Sequence, residues 1–355
     1  MRGYSVAMGT VSGRGRRKTG PSIEDVARLA GVSAQTVSRV STGAEAVRPE
    51  TKARVLEAMA QLGYSPNRAA RALRNGSFGT IGLLAHRYER TGEVLTTGGV
   101  VKAADDEGYT VTLLSIESET ADAADWESAA HRISNQAIDG LVIIRAEEAT
   151  PETLTLPAGM PVAVSDSRLV GHYPAVMGDQ LQGSRDATRH LLKLGHRTVH
   201  HLAGPTDSEP ALMRRGAWQR ALEAAGVRAP EAWIGDWTPR SGYEIGKRIA
   251  EDPDVTAVFA ANDEMAFGLI RALHEAGRGV PGDVSVVGFD AIALSEYSYP
   301  PLTTVRHDFQ RIGQELVKLV LAQIRSRGVS AARHDRVVVP TELIVRGTTA
   351  PPPAA

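Results

Sequence analysis

Residues 22–40 read Ser22-Ile23-Glu24-Asp25-Val26-Ala27-Arg28-Leu29-Ala30-Gly31-Val32-Ser33-Ala34-Gln35-Thr36-Val37-Ser38-Arg39-Val40. Ser22 with Asp25 three residues on is a capping-box pattern. Ile23, Val26, Ala27 and Ala30 then recur at helical spacing. Gly31 supplies a sharp turn, and Ser33 caps a second helix over 34–40 with Val37 and Val40 facing inward. A third helix starts with Pro49 in its first position, carries Val55, Met59 and Leu62 as its apolar stripe, and ends at Gly63. Two short helices across a tight glycine turn form a helix-turn-helix. The second helix stands proud and offers its N-terminal side chains to base edges in the major groove. Ala34, Gln35, Ser38 and Arg39 fall on its outer side, and Ser33 and Thr36 complete the candidate DNA-contact set. Gln35 can pair bidentately with adenine, and Arg39 with guanine or phosphate. The pattern by itself also permits an ordinary three-helix bundle with a polar face.

Charge points the same way. Residues 1–76 carry 13 Lys+Arg against five acids, a balance of +8, whereas the other residues sum to −9, within a net charge of −1. A basic head on an acidic body suits a polyanionic partner, although solvated helix faces would give the same count. Residues 1–21 are rich in Gly, Arg and Ser with nothing to bury, and a disordered basic tail is expected. Residues 66–73 are too few to stand as a helix in water, where roughly 12–15 residues are needed. Yet Ala69, Ala70, Ala72 and Leu73 favour helix, and Pro66 suits a helix start. A hinge segment over 66–78 that folds on DNA is expected.

The 355 residues suit two or three domains. From Thr80 onward short apolar runs (81–85, 111–116, 141–144, 162–164, 199–203, 257–260, 284–287) alternate with helical patterns (183–194, 214–225, 241–250, 264–276, 309–325). Such alternation implies parallel sheets covered on both faces, and some 270 residues are too many for one such core. Two lobes follow, with a ligand cleft between them beyond the carboxyl ends of the strands. No apolar run is long enough to span a membrane. The basic N-terminus lacks an apolar segment behind it, so a secretory signal is not expected. The absence of cysteine excludes disulfides, thiolate metal sites and a cysteine nucleophile, and fits the cytoplasm. No phosphate loop or serine elbow occurs. His200 and His201 are adjacent in a strand and point to opposite faces, so they cannot share a metal. His190 and His196 are expected to be surface or capping residues. No metal, cofactor or catalytic set is expected, and the chain does not read as an enzyme.

Residues 22–40 resemble the DNA-binding head of the lactose-repressor (LacI/GalR) family. So does the continuation Arg48-Pro49-Glu50-Thr51 to Leu62-Gly63-Tyr64-Ser65-Pro66-Asn67-Arg68-Ala69-Ala70-Arg71-Ala72-Leu73. The likeness runs on through Leu194-Gly195-His196-Arg197, Ala261-Asn262-Asp263-Glu264-Met265-Ala266, Val286-Val287-Gly288-Phe289-Asp290 and Pro301-Leu302-Thr303-Thr304-Val305, and covers roughly residues 22–347. The resemblance implies an all-α helix-turn-helix head plus an α/β two-lobed body like periplasmic sugar-binding proteins, built on two doubly wound parallel sheets. The expected division is 1–21 tail, 22–65 helix-turn-helix, 66–78 hinge, 79–178 with 308–338 as the N-terminal lobe, 179–307 with 339–347 as the C-terminal lobe, and 348–355 tail. It also implies a homodimer on a palindromic operator, with Asn67, Arg68, Ala70 and Leu73 as the hinge contacts and Leu73 levering open a minor-groove step.

A sugar presents hydroxyls around apolar C–H faces. Carboxylate, amide and guanidinium groups grip the hydroxyls, and an aromatic plane covers the C–H face. Asp166, Arg214, Asn262 and Asp290 are the candidate grippers, with Trp237 and Phe309 as platforms. Taken singly, each has a bland alternative: a turn bond for Asp166, a surface charge for Arg214, helix caps for Asn262 and Asp290, core for the two aromatics. The resemblance places Arg214, Asn262 and Asp290 where family members contact their effector. Asp166, Trp237 and Phe309 match the family's type member more narrowly, which favours a galactoside-like or other glycoside effector. His86 joins the effector set but stands where that member has a small hydroxyl residue. Ala217 and His307 are further departures, replacing a glycine and an amide. The reading is a transcriptional repressor whose operator affinity a small sugar controls. A solute-binding protein for sugar transport is the rival reading, and a purine-type effector is the alternative within the family.

Overall fold

The computed structural model describes residues 20–41, 47–65, 76–85, 88, 90–116, 123–145, 149–326 and 335–354. The chain divides into two compact units, residues 1–76 and 77–355. The expected contacts Asn67, Arg68, Ala70 and Leu73, and His86, lie outside the described residues.

The first unit contains α1 (Ile23–Ala30), α2 (Ala34–Ser41) and α3 (Pro49–Leu62). The capping box is formed: Asp25 N donates to Ser22 Oγ at 3.3 Å, and Ser22 N donates to Asp25 Oδ2 at 2.9 Å. Gly31 adopts φ 65°, the left-handed conformation that ends α1 without the steric penalty a side chain would bring. Thr36 N donates to Ser33 Oγ at 3.2 Å and so caps α2. Val26, Val37, Val40, Val55 and Met59 close a small core. Ala34 is a correction to the sequence reading: it is half-buried and packs on that core rather than lying on the outer side of α2. Helix α2 begins there, and its first turn must seal the Gly31 corner.

The second unit holds, among the described residues, two six-stranded sheets. The first consists of β1 (Thr80–Ala85), β2 (Thr110–Ser115), β3 (Gly140–Ile144), β4 (Val162–Ser165), β5 (Ala175–Gly178) and β11 (Arg336–Val339), in the order β11-β5-β4-β3-β1-β2. The second consists of β6 (His200–Ala203), β7 (Trp233–Ile234), β8 (Ala257–Ala260), β9 (Ser285–Asp290), β10 (Thr303–Arg306) and β12 (Glu342–Ile344), in the order β12-β10-β9-β8-β6-β7. β12 is antiparallel to β10; the other pairs are parallel. Strands buried on both faces read as continuous apolar runs, which is why Leu141 to Ile144 and Val286 to Val287 show no alternation.

Helices α4 (Thr91–Asp106), α5 (Ala123–Ser134) and α11 (Phe309–Arg325) cover the first sheet. Helices α6 (Gln180–Lys193), α7 (Glu209–Ala224), α8 (Pro239–Ala250) and α9 (Asp263–Glu275) cover the second, and a short α10 (Ala293–Tyr297) follows β9. The chain therefore passes between the lobes three times: after Gly178, after Arg306 and after Val339. Glycines set the α4–α11 contact: a Cβ at Gly313 would lie 2.5 Å from the Gly99 carbonyl carbon, so the two backbones touch directly.

Three sequence expectations change. His196 is buried, not on the surface, and its ring bonds Thr256 Oγ1 at 2.9 Å, Ser285 Oγ at 3.2 Å and the Ala350 carbonyl at 3.0 Å. Residues 348–350 are not a loose tail. Thr303 N donates to Thr348 Oγ1 at 2.9 Å, and Val286 N donates to Thr348 O at 2.8 Å. Strands β5, β7, β10, β11 and β12 were absent from the seven apolar runs. His200 and His201 do face opposite ways: His200 stacks on Trp233, and His201 is enclosed between Trp218 and Phe259. Among the described residues no group of three or more His, Asp or Glu is placed to hold a metal, and no helix is long and apolar enough to cross a membrane.

Candidate functional site

The two units carry two distinct faces. On the head, Ser33, Gln35 and Arg39 are exposed at the start and along the outer side of α2, with Thr36 and Ser38 half-buried beside them. Ser33 and Thr36 are bound to one another, Oγ to Oγ1 at 2.9 Å, so they shape the helix start. Gln35 and Arg39 are the long polar side chains on the exposed stripe.

In the body, a cavity of about 290 Å³ opens between the lobes. The first lobe contributes Arg90, Thr91, Gly92 and Arg145. The second contributes Arg214, Asp236, Trp237, Thr238, Asn262, Glu264 and Asp290. Four of the residues read from the sequence (Arg214, Trp237, Asn262, Asp290) are thus brought together here.

Arg214 projects from α7 and is fully enclosed. Its Nε donates to Gln180 Oε1 at 2.8 Å, one terminal nitrogen donates to the Ala261 carbonyl, and the other to Asp290 Oδ1 at 3.3 Å. Its guanidinium carbon lies 3.7 Å from the centre of the Phe289 ring. Burial lowers its pKa, and the charge of Asp290 opposes that shift. Asp290 ends β9 at φ 107°, and burial pushes its carboxyl up to about 6, with Arg214 pulling the other way. The pair is hydrogen-bonded and enclosed, so its attraction is less screened than at a surface. Asp263, next to Asn262, is buried and held well above the usual carboxylate range by that burial and by Asp290; it accepts from Ile292 N at 2.9 Å and from Thr304 Oγ1.

Trp237 lies in left-handed backbone at φ 75°. A Cβ on Gly204 would come within 2.5 Å of its ring, so a bare backbone lets the indole lie flat beside the cavity. Its buried Nε1–H has no acceptor among the described residues. Asn262 is the N-cap of α9: Met265 N donates to its Oδ1 at 3.0 Å, while its Nδ2 donates to the Trp237 carbonyl and to Glu264 Oε2, both at 2.9 Å. Its amide positions the tryptophan loop at the cavity wall.

Asp166 and Phe309 do not line this cavity. Asp166 is buried at φ 44°, where its charge favours the protonated form of Arg214. Phe309 is the first residue of α11. It packs edge-on against His307, ring centres 4.4 Å apart, and lines a separate hollow of about 740 Å³ that shares Asp290.

The sequence reading missed the first-lobe wall. Arg145 directly follows β3 in left-handed backbone at φ 48°, buried, with its guanidinium 3.5 Å from the Glu93 carboxylate. Gly92 makes room for it, since a Cβ there would fall 2.7 Å from Arg145 Nη2. A charged residue directly after the apolar run 141–144 was the available signal, because ligands of such sheets gather beyond strand ends. Thr91 Oγ1 donates to Glu264 Oε1, joining the first turn of α4 to the first turn of α9 across the cleft. Glu264 therefore ties the two lobes at the rim of the cavity.

A helix-turn-helix head joined to a two-lobed α/β body with an enclosed polar cleft defines a ligand-responsive DNA-binding regulator. Residues 22–67 match the family model for bacterial regulatory proteins of the lacI family, and residues 188–349 match the periplasmic binding protein-like domain. The chain belongs to the lacI family. The regulator CelR of Thermobifida fusca is 32% identical over 346 residues, covering 93% of this chain and 98% of CelR. The lactose operon repressor of Escherichia coli is 32% identical over 337 residues, covering 93% and 91%. Among solved structures, the lac repressor dimer bound to operator and the anti-inducer ONPF superposes with a TM-score of 0.82 at 30% identity, covering 94% of this chain and all of that one. A CelR–cellobiose complex superposes with a TM-score of 0.69 at 31% identity, covering 92% and 99%.

Proposed function

We propose that this chain is a transcriptional repressor that binds a palindromic operator as a homodimer, and that a small sugar in the interlobe cleft sets its operator affinity. The observation that carries the reading is the buried Arg214–Asp290 pair at the wall of a cavity that also exposes the Trp237 ring. Paired donors and acceptors suit vicinal hydroxyls, and an aromatic face suits the C–H side of a sugar ring. Relatives support it: one solved neighbour holds cellobiose, and another family member from Enterococcus faecium holds ribose. The cavity of about 290 Å³ is at the small end of ligand sites (about 300–1,000 Å³), which favours a single sugar ring in this arrangement. Gln35 and Arg39 read bases, and residues 66–73 form the hinge that couples head to body. A ligand that favours one lobe arrangement shifts the head's operator-competent population by its differential affinity.

The test is a thermal-unfolding screen of monosaccharides, disaccharides and purine bases against the full chain. A true effector at a hundredfold excess over its Kd stabilises by about 2.7 kcal/mol. Arg214→Ala is expected to keep operator binding and lose the sugar response. Undiminished sugar affinity in that variant, or stabilisation by purines and by no sugar, overturns the reading.

A further inference from the structure

We propose that the groove between α6 and α7, on the outer face of the second lobe, binds a small phosphate monoester. The groove encloses about 270 Å³ and is lined by Arg185 and Arg189 of α6, Arg220 of α7, and an apolar floor of Leu181, Ala217 and Ala221. Arg185 and Arg189 stand four residues apart, so they share one helix face with Cβ atoms about 5–6 Å apart. Arg220 faces them from the neighbouring helix.

Among the described residues, none of the three arginines forms an ion pair. Asp186 of α6 and Glu223 of α7 have glutamine partners: Gln182 Nε2 donates to Asp186 Oδ2 at 2.5 Å, and Gln219 Nε2 donates to Glu223 Oε1 at 3.0 Å. Arg185 donates from one terminal nitrogen to Gln182 Oε1, yet its Nε–H is buried and has no acceptor among the described residues. A buried donor on a cation without an acceptor is costly, and three like charges around one groove repel. A dianion in the groove, reached by the exposed ends of Arg189 and Arg220, offsets that repulsion.

A phosphate monoester carries about −1.5 to −2 charge at pH 7 and three acceptor oxygens that fit guanidinium forks. Its organic part would lie on the leucine–alanine floor. The enclosed volume suits a small molecule and not a polymer. The groove is separate from the interlobe cavity, with which it shares no lining residue. The inference therefore stands whether or not the cleft takes a sugar.

Phenyl phosphate is the probe, titrated calorimetrically into the full chain at low and at physiological salt. Saturable binding is expected, weakened roughly tenfold or more by Arg189→Glu and by Arg220→Ala, since each removes a charge-assisted bond. Both side chains are exposed, so folding is checked by circular dichroism, and the second variant serves if the first fails to fold. Inorganic phosphate is expected to bind more weakly because it cannot use the apolar floor. Phenyl phosphate affinity unchanged in these variants, or no binding to the parent, overturns the site. Equal affinity for inorganic phosphate overturns the monoester. Displacement of the probe by a duplex lacking any operator assigns the groove to nucleic acid instead.

Discussion

Asp290 combines left-handed backbone, full burial and a guanidinium 3.3 Å away. With its carboxyl pushed up to about 6 by burial, its ionisation changes close to neutral pH. Two signs follow. Between the ordinary carboxylate value of 3.8 and about 6 the folded chain keeps a proton that the unfolded chain has released. Its contribution to stability is thus present below about pH 4 and is lost as pH rises through 6. Effector binding runs the other way, because the ionised carboxylate is the better acceptor for a hydroxyl. Calorimetry across pH 5–8 is expected to show sugar affinity flat above 7 and falling by up to about tenfold per unit below 6. Asp290→Asn is expected to flatten that profile; a profile unchanged by the substitution would assign the titration elsewhere. At this scale the sequence marked Arg214, Asn262, Trp237 and Asp290, which the fold gathers at one cavity. It was silent on Arg145, whose role depends on Gly92 and Glu93 meeting it from another element.

At the scale of the element, α2 shows both the strength and the limit of periodicity. Gln35 and Arg39, four residues apart, share the exposed face, as the spacing requires. Ala34 has an equally permissive position but turns inward, because a small side chain at the first residue of a helix is free to pack wherever the corner needs filling. Gln35→Ala is expected to cost about 1–3 kcal/mol on the preferred operator and to relax selectivity at one base pair per half-site. Equal losses on operator and random DNA would show that it reads no base. The segment 66–73 lies outside the described residues, and its hinge role follows from its composition and the family resemblance. Leu73→Ala is expected to weaken operator binding and reduce DNA bending while leaving the salt dependence nearly unchanged, since no charge is removed. A variant that binds and bends like the parent would reduce the segment to a linker.

At the largest scale, three chain crossings and the Thr91–Glu264 bond link the two lobes of the body. Each lobe borrows late segments of chain: α11 and β11 complete the first, while β12 and residues 348–350 complete the second. Ending the chain at Gly347 would leave the amides of Val286 and Thr303 buried without acceptors and would strip His196 and Ser285 of the Ala350 carbonyl. At about 1–3 kcal/mol for each orphaned donor, the truncated chain is expected to lose roughly 3 kcal/mol and several degrees of Tm. An unchanged unfolding curve would show that the segment contributes nothing.

Local pattern determined a great deal of this protein. Capping residues, glycine stops and apolar spacing act within a few residues, so the helix-turn-helix, the strand–helix alternation and the basic head could be read directly from the chain. The short strands β5, β7, β10, β11 and β12 could not, because two to four residues carry no usable period and form strands only when a neighbouring edge accepts them. The same holds for the cleft. Part of its second-lobe wall, Asn262 and Asp290, gathers at the ends of strands that the pattern marks. Its first-lobe wall, the rim bond from Thr91 to Glu264, the exclusion of Phe309 and the burial of His196 arise from contacts between residues tens to hundreds of positions apart. Only tertiary packing, within each lobe and between the two, decides those.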